Sequence, residues 1–190
     1  GGQFADVGAQ VKILLAIEAA SGGAGRHFLD LVGELTRRGH QICAVYSPLR
    51  ADLNFVSELK SIDPWMVVEL PMFREIGLRD LSSYLALRKL IKVHGPFDIY
   101  HGHSSKAGAL VRLAASDSAR TVYTPHALRA MDPGLSHISR FFLGKIEVLL
   151  SRALTGAFIA VSPDEAEFAR DLGVPSKKIY TVINGLKSRP

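Results

Sequence analysis

The chain has 190 residues, 47% of them apolar and 22% charged, an ordinary globular composition and enough length to bury roughly 70% of the unfolded surface in one domain. No apolar run reaches the about 18 residues of a membrane span, and residues 1–10 (GGQFADVGAQ) lack the basic start and apolar stretch of a signal peptide, so they read as a disordered leader or cloning scar. A net charge of +5 points to an anionic partner, for which nucleic acid, an anionic membrane surface and a phosphorylated substrate all qualify.

Short, nearly continuous apolar runs alternate with helical spacing along the chain. VKILLAI (11–17) reads as a strand buried on both faces. After the glycine-rich SGGAG (21–25), a helix is expected over 26–38, with Phe28, Leu31, Val32 and Leu35 on one face and Gly39 as its stop. QICAVYS (41–47) is the second strand. Its Cys43, the only cysteine, cannot form an internal disulfide and reads as a small core residue in a reducing compartment. A short helix (52–60), a strand WMVVEL (65–70) and a helix over 80–94 stopped by Gly95-Pro96 follow. FDIYH (97–101) is the fourth strand, 105–115 a helix of small residues, and RTVYT (120–124) the fifth strand. A polar loop leads to a long helix over 137–154. On it the apolar arc Ile138, Phe142, Leu143, Ile146, Leu149 and Leu150 is expected to pack on the sheet, with Phe141, Lys145, Val148 and Arg152 on the opposite stripe. AFIAV (157–161) is the sixth strand. Ser162-Pro163-Asp164-Glu165 has the form of a capping box, with Glu165 reaching back to the Ser162 cap. That helix ends near Gly173, and KIYTVI (178–183) is the seventh strand, before Asn184-Gly185.

This alternation predicts an α/β fold over 11–186, a doubly wound, Rossmann-like parallel sheet of about seven strands with helices on both faces. Ligands of such sheets bind beyond the carboxyl ends of the strands, which gives weight to Ser21 to His27, His101 to Lys106, Pro125-His126 and Asn184-Gly185. A dinucleotide fingerprint fails there, because Phe28 stands at the third glycine position and strand two ends in Ser47-Pro48 without a carboxylate for a ribose. The Walker pattern is absent. Gly102-His103-Ser104-Ser105-Lys106 sits where a nucleophile elbow would, but Lys106 replaces its second glycine, which leaves an α/β-hydrolase with Ser104 as a lesser alternative. His101 and His103 share a strand face, yet no cysteine or third close ligand completes a zinc set, and no Asp-x-Asp occurs, so no metal is expected. Without an aromatic platform or a densely basic helix face, nucleic acid is not expected either. The glycine turn at a helix start offers free amides and the positive end of the helix dipole to a diphosphate or a polar sugar, with Arg26 and His27 as added donors. The same glycines also suit close helix–strand packing.

Five ordered stretches carry a resemblance. They are SGGAGRHFLDLVGELTRRGH (21–40), FDIYHGHSSKAGALVRLAA (97–115), VYTPHA (122–127), the helix with Glu147 running into TGAFIAVSPDEAEFA (155–169), and KIYTVINGL (178–186). In order and spacing the chain resembles the N-terminal, acceptor-binding domain of family 4 glycosyltransferases of the retaining, two-lobed GT-B type, above all bacterial exopolysaccharide and capsule transferases. It departs at Ala127, where the family often has Gly, and at Lys187, where it often has Asp.

The resemblance implies one lobe of an enzyme that moves a sugar from a nucleotide-diphosphate sugar to a glycan or lipid-linked acceptor, retaining the anomeric configuration and using no metal or other cofactor. The active site would lie in a cleft closed by a C-terminal lobe, with 187–190 starting the linker, and the 190-residue chain alone would not turn over. By resemblance, the amides of Gly22 and Gly23, beside Gly25, approach the donor diphosphate or the acceptor hydroxyl. His126 hydrogen-bonds the transferred sugar, or is simply a histidine closing a strand end. His103, Ser104 and Lys106 line the acceptor side, Lys106 pairing an acceptor phosphate or standing solvated, and Asn184 and Gly185 form the inter-lobe turn. Expected partners are the nucleotide sugar, the acceptor and the C-terminal lobe; basic and apolar helix surfaces suit the anionic inner face of a membrane or burial under a loop, and the expected location is the cytoplasm. A non-catalytic sugar- or nucleotide-binding module is the alternative of a different class.

Overall fold

The computed structural model describes residues 9–73, 77–115 and 117–183. Seven strands form one all-parallel sheet in the order β3-β2-β1-β4-β5-β6-β7: β1 Lys12–Ile17, β2 Gln41–Tyr46, β3 Met66–Glu69, β4 Ile99–His103, β5 Thr121–Thr124, β6 Ala157–Ala160 and β7 Ile179–Thr181. Six helices connect them: α1 Gly22–Arg37, α2 Leu53–Ile62, α3 Arg79–His94, α4 Ser105–Ala114, α5 His137–Leu154 and α6 Pro163–Leu172. The sheet grows outward from β1 in both directions, so the strand order reverses beside β1, between β1 and β4. That is where a doubly wound sheet opens a crevice.

Alternation along β1 sorts the core onto two faces. Ile13, Leu15 and Ile17 pack with Phe28, Leu29 and Val32 of α1 and with Phe55 and Leu59 of α2. Leu14 and Ala16 pack with Leu87 and Ile91 of α3 and with Leu110 and Val111 of α4. A third cluster joins Tyr123 and Phe158 to Ala166 and Ala169 of α6. Cys43 is buried, as its apolar run implies. The edge strands are short, and β3 is only partly buried.

Helix α5 departs from the expected packing. Ile138, Phe142, Ile146 and Leu149 are exposed by 47 to 71%, and the buried residues are Gly144, Glu147, Leu150 and Ser151. The reason is a pair of specific contacts. Arg112 of α4, 2% exposed, makes a two-pronged ion pair to Glu147 at 2.6 and 3.0 Å and lies 3.9 Å from the Tyr123 ring centre. Ser151 donates to the same carboxylate at 2.8 Å, and Gly144 lets Leu172 of α6 approach. The buried charge pair thus turns the small and polar stripe inward and the bulky apolar arc outward. No described helix is long and apolar enough to cross a membrane.

Candidate functional site

The helix at the glycine turn starts earlier than its apolar spacing indicates. Ser21 is the extended cap, and α1 begins at Gly22, so SGGAG forms the first helical turn. Ser21 makes no side-chain cap bond there. The first N–H groups of a helix lack intrahelical acceptors and carry its positive end. Gly22 and Gly23 are exposed, and a Cβ at either would meet nothing within 4 Å. These two glycines leave the helix start open to a ligand. Gly25 does not: it is buried, and a Cβ there would lie 3.0 Å from the Ala20 carbonyl carbon and 3.2 Å from its oxygen. It is a packing glycine that lets α1 close onto the end of β1. Arg26 is also taken up elsewhere, bonding Asp30 one turn on and Glu58 of α2 at 2.8 Å, which ties α1 to α2.

Four imidazoles gather beside this turn. His101 and His103 point to one face of β4, as their spacing implies, with ring centres 4.0 Å apart. His126 follows β5, and His27 projects from α1. His103 Nδ1 and His126 Nε2 are hydrogen-bonded at 3.1 Å, the donor being set by the tautomer. The His27 ring lies 4.9 Å from that of His126 and 5.8 Å from that of His103. Phe28 packs edge-on against His103. His101 sits behind the group, its Nε2 bonded to Thr124 Oγ1 at 2.9 Å. Burial pushes His101 down to about 3 and His126 down to about 4, and it lowers His103 well below the ordinary histidine range and His27 in the same direction. His27, His101 and His126 also disfavour charge on neighbouring rings. At neutral pH the cluster is therefore uncharged, and its rings act as hydrogen-bonding groups rather than cations. Pairing His101 with His103 along the strand missed this grouping: His27, His103 and His126 each bring a ring nitrogen within 4.8 Å of the others.

The turn that presents His126 is strained. His126 and Ala127 have φ of 53° and 79°, a left-handed conformation that is unfavourable for residues with a Cβ. Glu165 holds it. Its carboxylate accepts the Ala127 N–H at 2.8 Å and the Val161 N–H at 2.9 Å, while its own N–H donates to Ser162 Oγ at 3.1 Å. The capping box is thus only half formed. Ser162 caps α6 as expected, but the Glu165 side chain reaches past the cap to another loop. Its carboxyl is raised by burial, against the lowering effect of these backbone donors. Nothing in the local pattern distinguishes the two uses of a glutamate at this position.

The acceptor-side residues divide. Ser104, at φ 68°, is buried, and its Oγ has no hydrogen-bond partner among the described residues, so no histidine activates it as a hydrolase nucleophile would require. Lys106 is neither solvated nor available to a phosphate. Its side chain is 9% exposed and paired with Asp80 of α3. An ammonium in the first turn of α4 faces the positive helix end, and Asp80 offsets that repulsion. Ser47, at the end of β2, is a staple, its Oγ bonding both the N–H and the C=O of Met72. Asn184 and Gly185 lie outside the described residues. A shallow cavity of about 150 Å³ runs from Ser21 and Gly22 to Asn54 and Glu58. A larger one of about 500 Å³, lined by Arg88, Lys89 and Lys92, lies by Gly95-Pro96, ahead of β4 and away from the histidines.

Comparison with known proteins agrees with this architecture. The model of Glycosyltransferase Family 4 matches residues 21–188. No curated protein matches the sequence. Among solved structures, Anabaena Alr3699/HepE in complex with UDP and glucose is similar at 18% identity and a TM-score of 0.70, covering 93% of this chain and 45% of that one. A glycosyltransferase from Rickettsia africae is similar at 18% identity and 0.65, covering 94% and 44%, and Acinetobacter baumannii MurG at 15% and 0.59, covering 93% and 47%. The chain therefore spans a little under half the length of these proteins and has the fold of one GT-B lobe.

Proposed function

This chain belongs to Glycosyltransferase Family 4, and from that membership we propose that it is the acceptor-binding, N-terminal lobe of a retaining glycosyltransferase. The enzyme moves a hexose-type sugar from a nucleotide-diphosphate donor to a glycan or lipid-linked acceptor in polysaccharide assembly, without a metal. The observation that carries this reading is the joining of an open glycine helix start to a neutral histidine cluster at the switch point of the sheet. The α1 amides at Gly22 and Gly23 face the donor diphosphate, whose oxygen gains negative charge as the sugar leaves, and preorganised donors act most strongly on such developing charge. A neutral His126 accepts or donates a bond to a sugar hydroxyl, and His103 fixes its ring. A C-terminal lobe holds the nucleotide, and turnover requires both lobes. The UDP and glucose in the HepE structure make uridine-diphosphate sugars the first donors to try.

The exposed arc of α5, with Lys145 and Arg152 beside Ile138, Phe142 and Leu149, rests on the anionic inner face of a membrane. Co-sedimentation with anionic vesicles that survives Phe142→Ser plus Leu149→Ser would remove that part of the reading. The test of the whole is donor turnover by the full-length gene product over a panel of nucleotide sugars. His126→Ala is expected to lower kcat by roughly 100-fold with the fold intact. Absence of turnover with every nucleotide sugar, or a His126→Ala enzyme with unchanged kcat, overturns the proposal.

A further inference from the structure

We propose that His27, His103 and His126 form a binding site for a divalent transition-metal ion of the zinc class. The inference goes beyond the transferase reading and rests on the side chains alone. One ring nitrogen from each residue already lies within 4.8 Å of the other two. The tightest pair, His103 Nδ1 and His126 Nε2, is 3.1 Å apart, close to the roughly 3.4 Å expected of two nitrogens each about 2.1 Å from one tetrahedral ion. For this pair, ion binding needs a tautomer change and a tilt of both rings off the line between the two nitrogens. The hydrogen shared between the rings moves to the far nitrogen of whichever ring carries it, and both facing lone pairs turn to the metal. His27 is half-buried on α1, and rotation about its side-chain torsions closes its longer gap without moving the helix.

The donor set decides the kind of ion. Three imidazoles with no carboxylate or thiolate among them suit zinc, cobalt, nickel or copper, and not magnesium or calcium, which take oxygen ligands. The rings are neutral, so their lone pairs are available. His101 is not part of the set, since its Nε2 is held by Thr124. His27 and His126 are both partly exposed, which leaves a fourth position open to water, as in three-ligand zinc sites. If the transferase reading holds, an ion here sits on the ring that contacts the sugar and perturbs transfer. Binding does not depend on that.

The test is a cobalt(II) titration of the untagged 190-residue chain, read by visible d–d absorption. One saturable equivalent per chain, displaced by zinc(II), is expected. His27→Ala and His126→Ala should each weaken it roughly tenfold or more, with the surface variant His137→Ala unchanged. Far-UV circular dichroism confirms that the variants fold, and a rise in the wild-type melting temperature with zinc(II) gives a readout that needs no variant. No saturable cobalt absorption, or absorption undiminished in folded His27→Ala and His126→Ala, overturns the proposal, whatever the outcome of the turnover assay.

Discussion

Acidification from pH 7 to pH 5 is expected to destabilise this fold sharply through its buried histidines. Depressed folded-state values mean that the native protein binds fewer protons than the unfolded chain, whose histidines titrate near the ordinary 6.5. The stability they contribute is therefore complete above about pH 6.5 and is lost as pH falls through that value toward the folded ones, about 4 for His126 and about 3 for His101. A ring that stays neutral in the fold and charges freely when unfolded loses about 2 kcal/mol over these two pH units. His101 and His126 together account for about 4 kcal/mol, and His103 adds in the same direction. Glu165, raised by burial, takes up its proton in the folded state first and offsets part of the loss. Against the roughly 5–15 kcal/mol stability of an ordinary domain, the net loss is large. With a urea slope of about 2 kcal/mol per molar, the unfolding midpoint should drop by about 2 M. The assay is urea unfolding followed by circular dichroism at pH 7, 6 and 5. His101→Gln, which can keep the bond to Thr124, should remove about 2 kcal/mol of the pH dependence. Equal midpoints at pH 7 and pH 5, or a His101→Gln profile parallel to the wild type, would refute the reasoning.

Two further outcomes follow from packing. Glu147→Ala strands the Arg112 guanidinium in the interior and should cost about 3–5 kcal/mol, read as a fall in urea midpoint, whereas Arg112→Met combined with Glu147→Leu should recover most of it. Gly25→Ala drives a methyl group against the Ala20 backbone and should lose about 1–3 kcal/mol. Gly23→Ala, with open space around it, should stay within about 0.5 kcal/mol of wild type in the same melts while weakening UDP-sugar affinity in the full-length enzyme.

Much of the fold was legible because its signals are local. Continuous apolar runs marked the strands, i, i+4 spacing marked α1, and Ser162-Pro163 and Gly173 marked the two ends of α6, each depending on neighbours a few residues away. The rule that ligands collect at strand ends singled out Gly22, Gly23, His103 and His126 without coordinates. Local signals failed where a residue had two possible partners. Glu165 reads as a cap and serves a second loop, Lys106 reads as a solvated or phosphate-binding cation and meets Asp80, and Arg26 reads as a donor for ligand and binds α2. Helix α5 is apolar on more than one side, so its periodicity could not say which side faces inward. The buried Arg112–Glu147 pair and the contact of Gly144 with Leu172 decided that.

The sequence by itself determined the alternation of elements and the chemistry waiting at the ends of the strands, because hydrophobic period and capping act over one or two turns. Only the tertiary structure decided that the rings of His27, His103 and His126 come together. Their meeting depends on β4 pairing beside β1 and β5 beside β4, long-range contacts whose register is fixed by burial on both faces of the sheet and leaves no trace in the spacing of the three residues along the chain.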